Sequence, residues 1–138
     1  MASLRSLLQQ ALRLTMQNSR ASSGSILVVN EQGALLEGCR MHDGIIETLA
    51  SDSSREIVQR GLAGWVLRHR RPALVANTRE DARWLACPWE QEAGAARSAI
   101  CVPLSLHDRT IGVLTLAHAA PSQFTQVDLE QLARMAAA

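Results

Sequence analysis

At 138 residues the chain is the size of one ordinary domain, long enough to bury roughly two-thirds of its unfolded surface. Its 47% hydrophobic and 20% charged residues are those of a globular protein, and a net charge of +1 argues against the basic stripe that nucleic acid or another polyanion requires. All fourteen cationic side chains are arginine, so the chain has no P-loop lysine, no pyridoxal Schiff-base lysine and no kinase-type lysine.

Leu4, Leu7, Leu8, Ala11, Leu12 and Thr15 recur at three- and four-residue steps and predict an amphipathic helix over residues 3–18. Leu4, Leu7, Ala11 and Leu14 also fit two heptads, so one face suits the protein's own sheet or a second copy of the chain. Ser22, Ser23 and Gly24 break this helix. Residues 25–29 then read as a buried strand, turned by residues 30–33 into a second strand over 34–39, which makes an antiparallel hairpin. Asp43-Gly44 suggests a further turn and Ile45-Ile46 a short strand, with Ser53 or Ser54 as the cap of a helix reaching Arg60.

Residues 62–70 form the next helix, stopped by Pro72, and residues 73–76 a short strand. Thr78 and Asp81 have capping-box spacing and predict a short helix over 78–85, followed by a loop over 86–96. Ile100, Val102, Leu104 and Leu106 alternate, as do Ile111 and Val113, which makes a hairpin around His107-Asp108-Arg109. Thr125 and Asp128 repeat the capping-box spacing and open a last helix carrying Leu129, Leu132 and Met135. Helices at both ends with strand pairs between them make an α+β domain spanning residues 1–138, an antiparallel sheet covered on at least one face. Ala136, Ala137 and Ala138 carry no stop signal, so the last helix is expected to run on into a neighbouring domain.

The odd number of cysteines (Cys39, Cys87, Cys101), without Cys-x-x-Cys spacing, favours reduced thiols and a cytoplasmic location. No segment has the ~18 apolar residues of a membrane span, so no direct membrane contact is expected. His42, His69, His107 and His118 are scattered and predict no metal site. Cys39 and Cys101 read as core thiols, while Cys87 stands before Pro88 in a polar stretch and is the thiol expected to be exposed. The backbone N–H groups after Gly61 and Gly64 could face an anion, or the glycines could serve tight packing around Trp65. The Arg68-His69-Arg70-Arg71 run sits at a helix C-terminus, where cations offset the dipole.

The best candidates for a ligand pocket are Arg79, Asp81, Trp84, Trp89, Arg97 and Cys101. Trp84 and Trp89 are two of only four aromatic side chains, and a loop carrying indoles and arginines could close over a planar or anionic ligand. Trp84 is equally suited to plugging the core, with Arg83 and Asp81 as a surface pair. No residue stands out as catalytic.

Residues 61–66 (Gly-Leu-Ala-Gly-Trp-Val), Arg83-Trp84, Arg97-Ser98 followed by Pro103-Leu104, and Phe124-Thr125 with Asp128 resemble bacterial sensory GAF domains over most of the chain. The resemblance implies a profilin-like fold: a central antiparallel sheet of five or six strands, the terminal helices on one face and a ligand-sized cavity on the other. It implies a non-catalytic regulatory domain, not an enzyme, cut from a larger signalling protein such as a two-component sensor histidine kinase. Such a domain would sense an unidentified small molecule and pair as a homodimer through its terminal helices. The alternatives are a ligand-free dimerisation spacer and a thiol-dependent enzyme of the free-methionine sulfoxide reductase type. Cyclic-nucleotide-binding members carry an Asn-Lys pair and a Phe-x(3)-Asp-Glu motif. Here the strand ends in Ala117-His118-Ala119, and Leu129 replaces the Glu, which argues against a cyclic nucleotide. Cys87-Pro88 does not resemble a bilin attachment site, and haem has no clear ligand among the histidines. The cofactor is left unknown.

Overall fold

The computed structural model describes residues 3–49, 61–84 and 96–137. Helix α1 (Leu4–Gln17) starts where the Ser3 side chain accepts from the Ser6 N–H. Strands β1 (Ser23–Val29) and β2 (Leu35–His42) follow. Their turn is built by Asn30, whose side-chain oxygen accepts from the backbone N–H groups of Gln32 and Ala34, each at 2.9 Å. Strand β3 (Ile45–Thr48) returns from β2 through Asp43-Gly44, both at positive φ (51° and 76°), which matches the twist a two-residue hairpin needs.

Helix α2 (Leu62–His69) ends in Arg70, whose left-handed φ of 54° closes the last turn two residues ahead of Pro72. After strand β4 (Ala73–Val75) the expected helix does not form over 78–84. The Thr78 hydroxyl donates to the Ala96 carbonyl at 2.9 Å, and Asp81 is taken by Arg83, so neither end of a capping box is free to close. Strands β5 (Ser98–Leu106) and β6 (Arg109–His118) join through His107-Asp108, again both at positive φ. Helix α3 (Gln126–Ala136) has the expected capping box between Thr125 and Asp128. The helix expected to end at Arg60, and the 86–96 loop with Cys87 and Trp89 (apart from Ala96), lie outside the described residues. No helix in the described residues is long and apolar enough to cross a membrane.

The six strands form one sheet in the order β3-β2-β1-β6-β5-β4, every neighbouring pair antiparallel. This is the α+β, five-to-six-stranded architecture expected from the sequence. Alternation along the strands separates two cores. On the outer face, Ile26, Val28, Cys39, Ile100, Val102, Leu114 and Leu116 meet Leu12 of α1 and Leu129 and Leu132 of α3. On the inner face, Leu27, Val29, Ala99, Cys101 and Val113 meet Leu62, Ala63 and Val66 of α2. The terminal helices therefore share one face, as expected. The first turn of α2 is packed against the sheet, with Leu62, Ala63 and Gly64 all buried, so Gly61 and Gly64 serve packing.

Candidate functional site

Residues directly opposite one another on paired strands share a face. The register thus defines a row crossing all six strands on the inner face: Glu47, Arg40, Ser25, Thr115, Cys101, Ala73. The β4–β5 end of this row is apolar and lies under α2. The β1–β3 end is polar. Arg40 is buried at 7% exposure, and its Nε donates to a Glu47 carboxylate oxygen at 3.0 Å, which pulls the Glu47 carboxyl below its ordinary value. His42 stands two residues along β2, 3.6 Å from Glu47. Between the two ends, Ser23, Ser25 and Thr115 stay partly exposed although they sit on the two central strands.

Cys101 has no solvent exposure, and the Thr115 hydroxyl donates to its sulfur at 3.2 Å. Burial pushes its thiol up to about 12; the Thr115 hydrogen bond and the Arg83 charge pull the other way but do not overcome the loss of hydration. At neutral pH Cys101 is therefore a neutral thiol and a poor nucleophile. Cys39 lies on the outer face, its thiol also raised by burial and by Glu37, so the sheet separates it from Cys101.

Beside the row, Arg83 forms a hub. Its Nη2 and Nε donate to the two Asp81 carboxylate oxygens at 2.7 and 3.0 Å, and Nη2 also donates to the Leu74 carbonyl at 3.3 Å. This fork holds the Asp81 carboxyl below its usual range. The guanidinium carbon lies 4.7 Å from the centroid of the Trp65 ring, which stacks on His69 at 4.3 Å.

Of the six residues singled out in the sequence, the structure brings four to this side of the sheet. Asp81 is locked to Arg83, Trp84 packs against the inner core, and Cys101 lies at its centre. Arg97 belongs there by alternation with Ala99 and Cys101. Its Nε is buried and has no hydrogen-bond partner. Arg79 is exposed on a turn, where its backbone N–H donates to Asn77, and is not drawn into the cluster. Trp89 lies outside the described residues. Sequence reasoning missed Arg40, Ser25 and Thr115, which meet only through register. It left Arg83 open between a pocket residue and a surface pair with Asp81; the structure makes the pair and stacks the guanidinium over Trp65. Among the described residues no three His, Cys, Asp or Glu side chains group as metal ligands.

A family model for the GAF domain matches residues 1–138. The chain belongs to the GAF family. No curated protein matches it. The fold resembles that of the free methionine-R-sulfoxide reductase from Neisseria meningitidis in complex with its substrate (TM-score 0.70, 19% identity, covering 94% of this chain and 71% of that one). It also resembles the type II free methionine-R-sulfoxide reductase from Thermoplasma acidophilum (TM-score 0.68, 15% identity, 96% and 86% covered). A third likeness is to the GAF domain of a phosphoenolpyruvate-protein phosphotransferase from Coxiella burnetii (TM-score 0.72, 15% identity, 99% and 79% covered). At these identities the likeness is one of fold. The expectation of a non-catalytic sensing domain is corrected by it, because enzymes are built on this same GAF architecture and the family resemblance does not make the chain a regulatory module. The expectation that the chain is not an enzyme falls with it.

Proposed function

We propose that this GAF protein is a thiol-dependent reductase of a small sulfoxide, with free methionine-R-sulfoxide as the first substrate to test, acting over the inner face of the sheet. The observation that carries the reading is how the described thiols are disposed. Cys39 is on the wrong face, and Cys101 is neutral and sealed beneath α2. Cys87 follows Trp84, which packs on the inner face, by three residues in the chain, and is the thiol assigned the attack. The two reductases with this fold make the chemistry reasonable for the architecture.

The thiolate of Cys87 attacks the sulfoxide sulfur. The S–O oxygen passes to the protein as a sulfenic acid, and the sulfide leaves, reduced by two electrons. A dithiol reductant then condenses with the sulfenic acid, releasing water, and its second thiol displaces the mixed disulfide to restore Cys87. The cycle needs a reducing compartment, so we place it in the cytoplasm. The exposed leucines of α1 further support pairing of two copies through that helix.

The test is chromatographic measurement of methionine released from the R-sulfoxide with dithiothreitol as reductant. Turnover by wild type, lost in Cys87→Ser and kept in Cys39→Ser, is expected. Methionine release no greater than that of Cys87→Ser would overturn the reading.

A further inference from the structure

The two central hairpins part at their tips. Strands β1 and β6 pair from Ser23 with Ala117 as far as Val28 with Gly112, yet β6 begins three residues earlier, at Arg109, so the ladder ends before the strands do. Both hairpins are bulged at this level. Across β1–β2 the partners step from Val28 with Glu37 to Val29 with Leu35, which leaves Leu36 as the extra residue. Across β5–β6 they step from Leu104 with Gly112 to Ser105 with Thr110, which leaves Ile111. A bulge bends its strand and re-aims a side chain. Here both extra residues, with Val29 and Leu106, line a cleft of about 590 Å³ between the tips. Leu36 and Leu106 stand 59% and 45% exposed in its walls.

A cleft of this volume is the size of a small-molecule site. Its apolar walls are aliphatic, and among the described residues no aromatic side chain lines it, so a flexible hydrocarbon suits it better than a ring in need of a stacking partner. The polar groups are mostly donors. The Asn30 Oδ1 already accepts from the N–H groups of Gln32 and Ala34, so the amide has its own two N–H bonds to offer. Thr110 adds a hydroxyl, His107 a ring N–H in either tautomer, and Arg109 its guanidinium. Among the described lining residues Glu31 is the one carboxylate, and its ion pair with Arg109 ties one tip to the other. Both partners are more than half exposed, so the pair adds little to stability and a better-placed anion can displace it.

We infer that this cleft binds a medium-chain aliphatic carboxylate, with its hydrocarbon along Val29, Leu36, Leu106 and Ile111 and its acid group on Arg109 in place of Glu31. The ligand is taken up without chemical change, and the site does not depend on the chain being a reductase.

Calorimetric titration of the whole chain with hexanoate, octanoate and octanol tests the site. Octanoate is expected to bind about 10-fold more tightly than octanol, and each methylene between hexanoate and octanoate to add about 2- to 4-fold. Arg109→Gln should weaken octanoate by about 10-fold and leave octanol unchanged. Glu31→Gln should tighten octanoate by about 2- to 5-fold, because the competing carboxylate is gone. Leu106→Asn should weaken both ligands, whereas Leu7→Glu, on the exposed leucines of α1, should change neither. Octanol bound as well as octanoate, no binding of either, or octanoate binding unmoved by Arg109→Gln overturns the site. Weaker octanoate binding in both Arg109→Gln and Glu31→Gln also overturns it, since a general loss of fold moves the two variants the same way. Binding lost in Leu7→Glu and kept in Leu106→Asn would put the hydrocarbon on α1 and overturn it too.

Discussion

Thr115 donates its hydroxyl hydrogen to the sulfur of Cys101 across the β5–β6 pair, at 3.2 Å. The contact satisfies the thiol as an acceptor, while burial keeps it protonated, so Cys101 behaves as a small core residue. Cys39 is sealed into the opposite core.

The thiols should therefore divide by reactivity. With an aromatic disulfide reagent at pH 8, the native protein is expected to release one equivalent of chromophore quickly, and all three only in denaturant. Cys87→Ser should remove the fast equivalent. Two fast thiols in native protein would contradict the burial of Cys101 and Cys39.

Alkaline pH should unfold the protein through the same thiols. Burial pushes the folded Cys101 thiol up to about 12, above the ordinary thiol value of about 9, so between these values the unfolded chain has lost a proton that the folded one keeps. The contribution is fully present below about pH 9 and falls by about 1.4 kcal/mol per pH unit from there to about pH 12. Cys39 is raised too and adds with the same sign. Urea midpoints measured from pH 8 to 11 should decline, and Cys101→Ala should flatten the slope even though its starting stability is lower.

Much of the fold was written locally. Alternation in β5 and β6 marked the long hairpin, and Thr125 with Asp128 marked the start of α3, because each signal is read by the residues that carry it. Two other features depended on distant partners. The Thr78–Asp81 spacing looked like a cap, but each side chain is taken by Ala96 or Arg83, and a spacing rule does not see that competition. The second strand was expected over residues 34–39, with no clear local signal beyond Cys39. It runs on to His42 because β3 pairs with it and Glu47 meets the buried Arg40. The same blindness to register hid the polar half of the inner face, since no single strand contains more than two of its residues.

Gly112 sits in close contact with the neighbouring central strand. A Cβ there would sit 2.2 Å from the Leu27 carbonyl oxygen, a backbone atom that cannot turn aside. Because β6 at this position pairs with both β1 and β5, relief would require parting the middle of the sheet. Gly112→Ala is expected to destabilise the protein by about 3 kcal/mol, read as a lowered urea midpoint with an unchanged slope. Gly33→Ala serves as a comparison: nothing lies within 4 Å of its added Cβ, so only the strain of its φ of +81° opposes it, and a smaller loss is expected.

Among the described residues, α1 carries exposed leucines at regular spacing. Leu4, Leu7 and Leu14 are 48%, 51% and 60% exposed, while Leu12 is fully buried. Leu12 thus ties the helix to its own sheet, and the heptad positions are left over for a second copy, which would remove their surface from water. Leu7→Glu therefore separates the two roles. It should change the stability of the fold by no more than about 0.5 kcal/mol, because the position is exposed in the single chain. It should also turn a dimer into a monomer in sedimentation equilibrium, because it places like charges against each other across the seam. A wild-type protein that stays monomeric at high concentration would leave the leucines without a self-partner, and a Leu7→Glu protein that unfolds would mean that α1 packs more tightly on its own sheet than its exposure shows.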